Sequence, residues 1–101
     1  MASKPVRFSP RAERDLEDIA DYIARDNPPR ALSFVRELRE RCDKLGSSPH
    51  APRHFPQLGP DAHILPYGNY VILYRDLTRE VSIARILHGA RDIVALIAPD
   101  D

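Results

Sequence analysis

The sequence predicts an α+β fold in the order β-α-α-β-β-β plus a short tail, with an N-terminal strand, a helical hairpin and an antiparallel meander of three strands. Three observations lead to this prediction. Apolar residues recur at helical spacing over two stretches in the first half of the chain. Only the short segment "RDNPP" separates these stretches, which favours an antiparallel hairpin. In the second half, apolar runs alternate with turn residues, as they do in a β-meander.

The first strand and the first helix are predicted from "PVRFSP" and the residues that follow it. Val6 and Phe8 lie on one face of a short strand. Ser9 caps the helix, and Pro10 occupies its first position, where a missing N–H costs nothing. The apolar stripe of this helix is Ala12, Leu16, Ile19, Ala20 and Ile23. "RDNPP" ends the helix, because residues that precede proline avoid the α region.

The prolines of "RDNPP" also open the second helix. Its apolar stripe is Ala31, Val35, Leu38, Cys42 and Leu45. Gly46 follows the stripe and supplies the C-terminal stop. Cys42 is the only cysteine, so no internal disulfide forms, and its place in the stripe predicts a buried structural thiol.

A long proline-rich loop and a meander make up the rest of the chain. Residues 46–62 carry four prolines and no periodicity, which predicts a loop that is either functional or pinned by its prolines. "HILP", "YVILY" and "EVSIARIL" then form three antiparallel strands. "RDIVALIA" ends the chain as a short helix or an extended tail. The whole of residues 1–101 is predicted to be one domain.

Composition excludes several classes of protein. The charges balance, with 15 Lys plus Arg against 15 Asp plus Glu, so no global attraction to nucleic acid is expected. The apolar runs are too short to cross a membrane, and the N-terminus has no signal-peptide stretch. We therefore expect a soluble, cytoplasmic protein. His50 and His54 have a metal-ligand spacing, but the prolines around them forbid the helix it requires. We expect neither a metal nor a cofactor.

The last strand carries the candidate functional residues. Alternation places Val81, Ile83, Arg85 and Leu87 on one face of it, and Ser82, Ala84, Ile86 and His88 on the other. A mid-strand arginine between apolar neighbours needs an acidic partner such as Asp92 or Glu80, or it lines a surface open to solvent. His88 precedes Gly89, which allows a sharp exit from the sheet. Arg75, on the neighbouring strand, is placed to join Arg85 in gripping a phosphate or a carboxylate-rich peptide.

Two segments carry a resemblance to a known family: "RFSPRAERDLEDIADYIARDNPPRALSFVRELRERCDKL" and "YVILYRDLTREVSIARILHGARD". From about residue 6 to residue 92 the chain resembles the ParE branch of the RelE/ParE superfamily of bacterial toxins, and the ending "HGARD" favours ParE. The resemblance implies a RelE/ParE-like fold, a helical hairpin packed on a curved antiparallel sheet. It also implies a type II toxin that is neutralised by a cognate ParD-like antitoxin encoded beside it, in a hetero-oligomer of the two.

The superfamily divides by target, and the sequence favours one side. RelE-like members cut messenger RNA on the ribosome with basic residues on the sheet, whereas ParE-like members inhibit DNA gyrase. Residues 54–74 contain no lysine or arginine, although stabilising a pentavalent phosphate needs such charges. The prediction is a gyrase inhibitor without catalytic residues. The alternatives are a ribosome-dependent endoribonuclease that uses Arg85, His88 and Arg75, and a weakly active relative that retains antitoxin binding. His63 stands where many ParE-like sequences have an arginine.

Two binding surfaces are predicted. Arg85, His88 and Arg91 form a basic edge that contacts the target, with Asp92 orienting Arg91. The predicted antitoxin-binding residues are Tyr22, Leu32, Phe34, Arg75 and Arg85. The aromatic and aliphatic side chains are expected to anchor an amphipathic segment of the antitoxin, and the two guanidinium groups are expected to pair with its acidic residues. No sequence-specific binding of nucleic acid is expected.

Overall fold

The computed structural model describes residues 3–47 and 53–89, and its elements follow the predicted order with one addition. The two helices are α1 (Pro10–Ala24) and α2 (Pro28–Asp43). The strands are β1 (Val6–Phe8), β2 (Arg53–His54), β3 (Ala62–Tyr67), β4 (Tyr70–Asp76) and β5 (Val81–His88). β2, which lies within the proline-rich loop, is the addition. The predicted C-terminal helix or tail falls outside the described residues, as do His50, Arg91 and Asp92.

The five strands form one sheet in the order β1-β5-β4-β3-β2. β3, β4 and β5 form the predicted antiparallel meander, and β2 pairs antiparallel with β3. β1 joins the opposite edge of the sheet, where it runs parallel to β5 with Val6 opposite Val81. The antiparallel prediction is therefore confirmed for the meander, and the N-terminal strand makes the sheet mixed.

Both helices begin with a side-chain cap and proline. The Ser9 hydroxyl accepts a hydrogen bond from the Ala12 N–H at 3.0 Å, as predicted. Asn27 plays the same part for α2, because its side-chain oxygen accepts from the Arg30 N–H at 3.1 Å. The connection between the helices is short, which confirms the hairpin. Neither helix, within the part of the chain that the structure describes, has the length and apolar character that a membrane span requires.

Gly46 follows α2 and a single 3₁₀ turn, Lys44–Gly46, but it does more than end the helix. Its backbone lies against the residues that lead into β1, and the Lys4 N–H donates to the Gly46 carbonyl oxygen at 2.9 Å. A Cβ at this position would stand 2.2 Å from the Lys4 carbonyl oxygen. The glycine therefore allows the close approach that brings β1 beside the helical hairpin.

The main core lies between the helices and one face of the sheet. Its largest fully buried side chains are Tyr74, Leu38, Ile72, Ile83, Val81 and Cys42. Cys42 is buried as predicted, and burial raises the pKa of its thiol to about 12. The thiolate is the reactive form of cysteine, and burial disfavours it, as expected for a residue that packs in the core.

The predicted position of Phe34, beside the core stripe of α2, is wrong. Phe34 is 8% exposed and belongs to the main core, whereas Val35 is only partly buried at its edge. The ring of Phe34 packs against Tyr67 and Tyr70, with centroid separations of 5.8 and 5.5 Å. Phe34 consequently supports the fold and does not offer an exposed anchor to a partner.

A second, smaller apolar cluster covers the face of the sheet that points away from the helices. Its buried members are Ala62, Ile64, Leu73 and Leu87. Phe55, which follows β2, packs against this cluster, and its N–H donates to the Ala62 carbonyl oxygen at 2.7 Å. Phe55 thus holds the described end of the proline-rich loop against the sheet. The two expected alternatives, a functional loop or one pinned by its prolines, stay predictions.

Candidate binding groove between α1 and β5

One groove brings together three of the candidate residues, Tyr22, Arg85 and His88. It has a volume of about 360 Å³ and lies where α1 passes over the end of β5 and the start of β4. Its lining residues are Asp15, Asp18, Ile19, Tyr22, Tyr70, Arg85, Ile86, Leu87 and His88. We call this set the α1–β5 groove. Volumes of roughly 300–1,000 Å³ are typical of protein pockets that bind small molecules.

A β-bulge in β5 shapes the groove. Tyr74 pairs with Ile83 and Leu73 pairs with Arg85, so Ala84 is an extra residue on β5. The predicted strict alternation along this strand is therefore wrong beyond Ile83. Ile83 and Ile86 both point into the main core, although alternation would place them on opposite faces. Because the bulge moves every later side chain to the other face, Leu87 reaches the outer cluster.

Helix α1 is fastened to this bulge by Ser9 and Asp15. The Ser9 N–H donates to the Ile83 carbonyl oxygen at 2.9 Å, and the Ser9 hydroxyl donates to the Ala84 carbonyl oxygen at 2.8 Å. One turn into the helix, Asp15 Oδ2 accepts from the Ile86 N–H at 2.9 Å. Backbone groups that a bulge would leave unpaired are thus satisfied by α1.

Arg85 pairs with Asp15 in a two-point contact. Its Nε donates to Asp15 Oδ2 at 2.9 Å, and its Nη2 donates to Asp15 Oδ1 at 3.2 Å. The two side chains are 23% and 12% exposed, so the pair is shielded from water. An acidic partner was predicted, but neither proposed partner is confirmed. Glu80 instead pairs with Arg7 at 3.1 Å, and Asp92 lies outside the described residues.

Sequence reasoning missed Asp15 as this partner because 70 positions separate the two residues. The charged residues between the apolar positions of α1 were all assigned to a solvated face. Helical spacing does contain a signal, since Asp15 directly precedes the core residue Leu16 and stands four before Ile19, at the edge of the apolar stripe. A carboxylate at such an edge is placed to meet a cation from the sheet.

Arg75 and Arg85 lie on different faces of the sheet, so the prediction that they bind one ligand together is wrong. Their strands are neighbours, but Arg75 pairs in register with Ser82 and lies on the outer face of the sheet. There it lines a separate hollow of about 210 Å³ with Ala62, Leu73 and Ala84. Arg85 faces α1 on the opposite side. No single phosphate or carboxylate can therefore contact both arginines.

Aromatic rings form one end of the α1–β5 groove. Tyr70 is buried, and the exposed His88 ring meets it edge-on with a centroid separation of 5.1 Å. Burial raises the pKa of the Tyr70 phenol, with a smaller contribution from Tyr22. Tyr22 itself is 64% exposed in the last turns of α1, and Leu32, at the start of α2, is 77% exposed. Of the predicted antitoxin-binding residues, Tyr22 and Leu32 are thus accessible, and Tyr22 lies in the groove.

His63 occupies a different part of the sheet. It lies on β3, which β4 separates from β5. Its ring stacks on Tyr74 with centroids 5.5 Å apart and tilts against His54 at 5.1 Å. His63 Nδ1 and the Tyr74 hydroxyl are buried and have no hydrogen-bond partner among residues 3–47 and 53–89. The histidine therefore packs between rings and does not reach the groove.

The candidate catalytic residues Arg75, Arg85 and His88 do not form one cluster. Cleavage of RNA needs a cluster of cations and an acid–base group around one phosphate. In this chain the guanidinium of Arg85 is engaged by a carboxylate, and Arg75 lies on the other face. No metal-binding group of three or more acidic, histidine or cysteine residues occurs within the described ranges. What remains is an apolar, aromatic groove with charged rims.

Comparison with known proteins identifies the family. The family model described as "ParE toxin of type II toxin-antitoxin system, parDE" matches residues 6–93. Toxin ParE1 of Caulobacter vibrioides is 33% identical over 86 residues, which cover 84% of this chain and 88% of that protein. The protein Y4kP of Sinorhizobium fredii is 31% identical over 89 residues, which cover 88% of this chain and 92% of that protein.

Solved structures agree on the fold. The chromosomal ParDE toxin–antitoxin system of P. aeruginosa contains a chain that superposes with a TM-score of 0.75 at 22% identity, covering 86% of this chain and 97% of that one. A chain of the RelBE2 toxin–antitoxin complex from Mycobacterium tuberculosis superposes with a TM-score of 0.64 at 25% identity, covering 86% and 99%. The predicted RelE/ParE-like fold is confirmed. The chain belongs to the ParE toxin family of type II toxin–antitoxin systems.

Proposed function

We propose that this toxin acts by binding a protein target, DNA gyrase, and not by cutting RNA. The observation that supports this most is the Asp15–Arg85 pair, in which two donors of the guanidinium already serve a carboxylate. Nothing in residues 54–74 replaces the missing cations, because that span has no lysine or arginine. Gyrase is proposed as the target because the chain resembles ParE-like toxins, and the cytoplasm is proposed as the compartment in which it meets that target.

The target contact is proposed at the end of β5. Arg85 is partly buried and joins β5 to α1, so its proposed role is to position the end of β5 and not to contact the target. His88 is exposed at the rim of the groove, and Arg91 follows three residues later in the sequence. These two residues, with their neighbours, are the proposed contact with gyrase or with its bound DNA. Such a contact should weaken as salt rises, since exposed charges are screened.

The α1–β5 groove is the proposed seat of a ParD-like antitoxin. Its exposed aromatic wall and apolar floor suit an amphipathic segment, a recurrent mode of peptide recognition. The two structural relatives named above come from toxin–antitoxin systems, which supports an antitoxin as the partner. An antitoxin bound in this groove would cover His88, which is part of the proposed gyrase contact, and would thereby neutralise the toxin. A plasmid or chromosome carrying both genes would then be stabilised by the pair.

Replacing Tyr22 with alanine tests the groove. Tyr22 is 64% exposed, so Tyr22→Ala should leave thermal stability nearly unchanged. Loss of an aromatic anchor should weaken antitoxin binding by about 2 kcal/mol. Isothermal titration of the purified antitoxin into each variant measures this. Phe34→Ala is the matched contrast, because Phe34 is a core residue and its loss should lower the melting temperature. Unchanged affinity in Tyr22→Ala would remove this residue from the interface.

Controlled expression without antitoxin tests the mode of action. Poisoned gyrase breaks DNA, so the proposal predicts induction of the SOS response while protein synthesis continues. His88→Ala should reduce the response, whereas Arg79→Ala, an exposed arginine in the turn between β4 and β5, should not. Rapid arrest of translation, with site-specific cuts in a ribosome toeprinting assay, would instead establish the endoribonuclease. Neither effect from folded protein would identify a weakly active relative and overturn the proposal.

A further inference from the structure

We infer that the α1–β5 groove receives an arginine side chain of the antitoxin, held by Asp18 and by the rings of Tyr22 and Tyr70. The inference rests on the proposed function in that it takes the antitoxin to be the occupant of the groove. It concerns a specific chemistry, a planar cation, and it reverses the charge expected from the sequence. The sequence predicted instead that the Arg85 guanidinium binds acidic residues of the antitoxin.

The charges that line the groove favour a cation. Asp15 and Arg85 balance one another through their two-point contact. Asp18, one helical turn further along α1, is exposed and makes no hydrogen bond or ion pair within the described part of the chain. Among the described lining residues, Asp18 is therefore a carboxylate at the rim whose charge is not balanced by an ion pair. An incoming carboxylate would meet Asp15 and Asp18, and it would have to displace Asp15 from Arg85 to gain a partner.

The walls of the groove favour a planar cation in particular. Tyr22 and Tyr70 present aromatic rings, and Ile19 and Ile86 provide an apolar floor beneath them. A guanidinium stacks on such rings and still donates hydrogen bonds in its plane, which an ammonium cannot do as well. Tyr22 already attracts a guanidinium within the chain, since Arg25 lies 5.9 Å from its ring centroid. A distance of 5.9 Å is long for a cation–π contact, so a guanidinium that lies closer to the Tyr22 ring would displace Arg25 from it.

The direct test uses small probes and the full chain. N-acetyl-arginine N-methylamide is titrated in the millimolar range while the amide and ring signals of the protein are followed by NMR. Signals of Asp18, Tyr22, Tyr70 and His88 should shift together. The glutamate analogue should leave them in place. Asp18→Asn should abolish the response, and Asp21→Asn, an exposed aspartate of α1 outside the groove, should preserve it.

Two outcomes of this titration would overturn the inference. A response to the glutamate analogue that equals the response to arginine would show that the groove does not select for positive charge. An equal response to the lysine analogue would show that planarity plays no part, and the assignment to arginine would fail. Because no antitoxin is present, this titration judges the chemistry of the groove independently of the proposed function.

The second test uses the antitoxin and separates the two claims. Asp18→Arg should weaken the complex by about tenfold or more, because it replaces an attraction by a repulsion. Asp21→Arg should change the affinity by no more than about twofold, as expected for an exposed charge outside the contact. Antitoxin variants in which each arginine is replaced in turn by glutamate should include one that restores binding to Asp18→Arg.

Equal binding of wild-type toxin and Asp18→Arg would overturn the inference and leave the proposed function standing. No binding to wild-type toxin would contradict the proposed antitoxin itself.

Discussion

Asp15→Ala should lower the free energy of unfolding by about 3 kcal/mol, the order expected when one member of a shielded ion pair is removed. Three hydrogen bonds end on this carboxylate, two from Arg85 and one from the Ile86 N–H. Alanine would leave the guanidinium, 23% exposed, without this partner and would orphan a backbone donor at the bulge. For a domain whose total stability is about 5–15 kcal/mol, a loss of this size is large. Urea denaturation followed by circular dichroism measures it.

Two further variants control this result. Asp18→Ala removes an exposed aspartate from the same helix and should change stability by no more than about 0.5 kcal/mol. Asp15→Asn retains an oxygen that can accept from the Ile86 N–H, so its cost should fall between those of the two alanine variants. If Asp15→Ala were as stable as Asp18→Ala, the Asp15–Arg85 pair could not be what fixes α1 to β5.

Gly46→Ala should destabilise the protein by about 2 kcal/mol or more, because the added methyl group meets backbone that cannot easily move. The new Cβ would stand 2.2 Å from the Lys4 carbonyl oxygen and 3.1 Å from Val6 Cγ2. Relief of this overlap requires β1 to shift away, which breaks the hydrogen bond from the Lys4 N–H to Gly46. A loss of melting temperature, measured by thermal denaturation, should accompany faster hydrogen exchange at β1.

Gly68→Ala is the matched control for this glycine. Gly68 lies in the turn between β3 and β4 with φ of 58°, and nothing lies within 4 Å of an added Cβ. Its replacement should cost only the strain of the left-handed backbone, about 1–2 kcal/mol, without loosening β1. Slower or unchanged exchange at β1 in Gly46→Ala would contradict the close approach between Lys4 and Gly46.

Local chemistry in the sequence accounts for the helices and the meander. Ser9 and Pro10 mark the start of α1, and the prolines after Asn27 mark the start of α2, because caps and fixed φ angles act within one turn. Gly68 likewise supplies the turn between β3 and β4 with a positive φ. Features of this kind depend on a few consecutive residues, so the sequence contains enough information to predict them.

Features that depend on distant partners escaped prediction. The bulge at Ala84 inserts one residue into an otherwise regular pattern, and its stabilising contacts come from Ser9, 75 positions away. The parallel pairing of β1 with β5 likewise joins opposite ends of the chain. Phe34 was assigned outside the core because the spacing of three or four fits both Phe34 and Val35 after Ala31. Packing against Tyr67 and Tyr70 decides between them.

The candidate site shows the same division. His88 and Tyr22 were identified as functional candidates from residue type and position, and the structure brings both into the α1–β5 groove. Asp15 and Asp18 were not identified, since charged residues on an amphipathic helix are usually solvated. What distinguishes these two aspartates from the solvated charged residues of α1 is that the helix passes over the end of β5. Their carboxylates add two negative charges to a strand end that the sequence predicted to be a basic edge.

Supercoiling of relaxed plasmid by purified gyrase tests the central claim most directly. Toxin freed of antitoxin should inhibit the reaction in proportion to its amount and reach full inhibition near equimolar toxin and gyrase, because a binding protein acts stoichiometrically. Longer incubation should not extend the inhibition at a lower ratio, and added antitoxin should reverse it. No inhibition by folded toxin at several-fold molar excess over gyrase would contradict the claim.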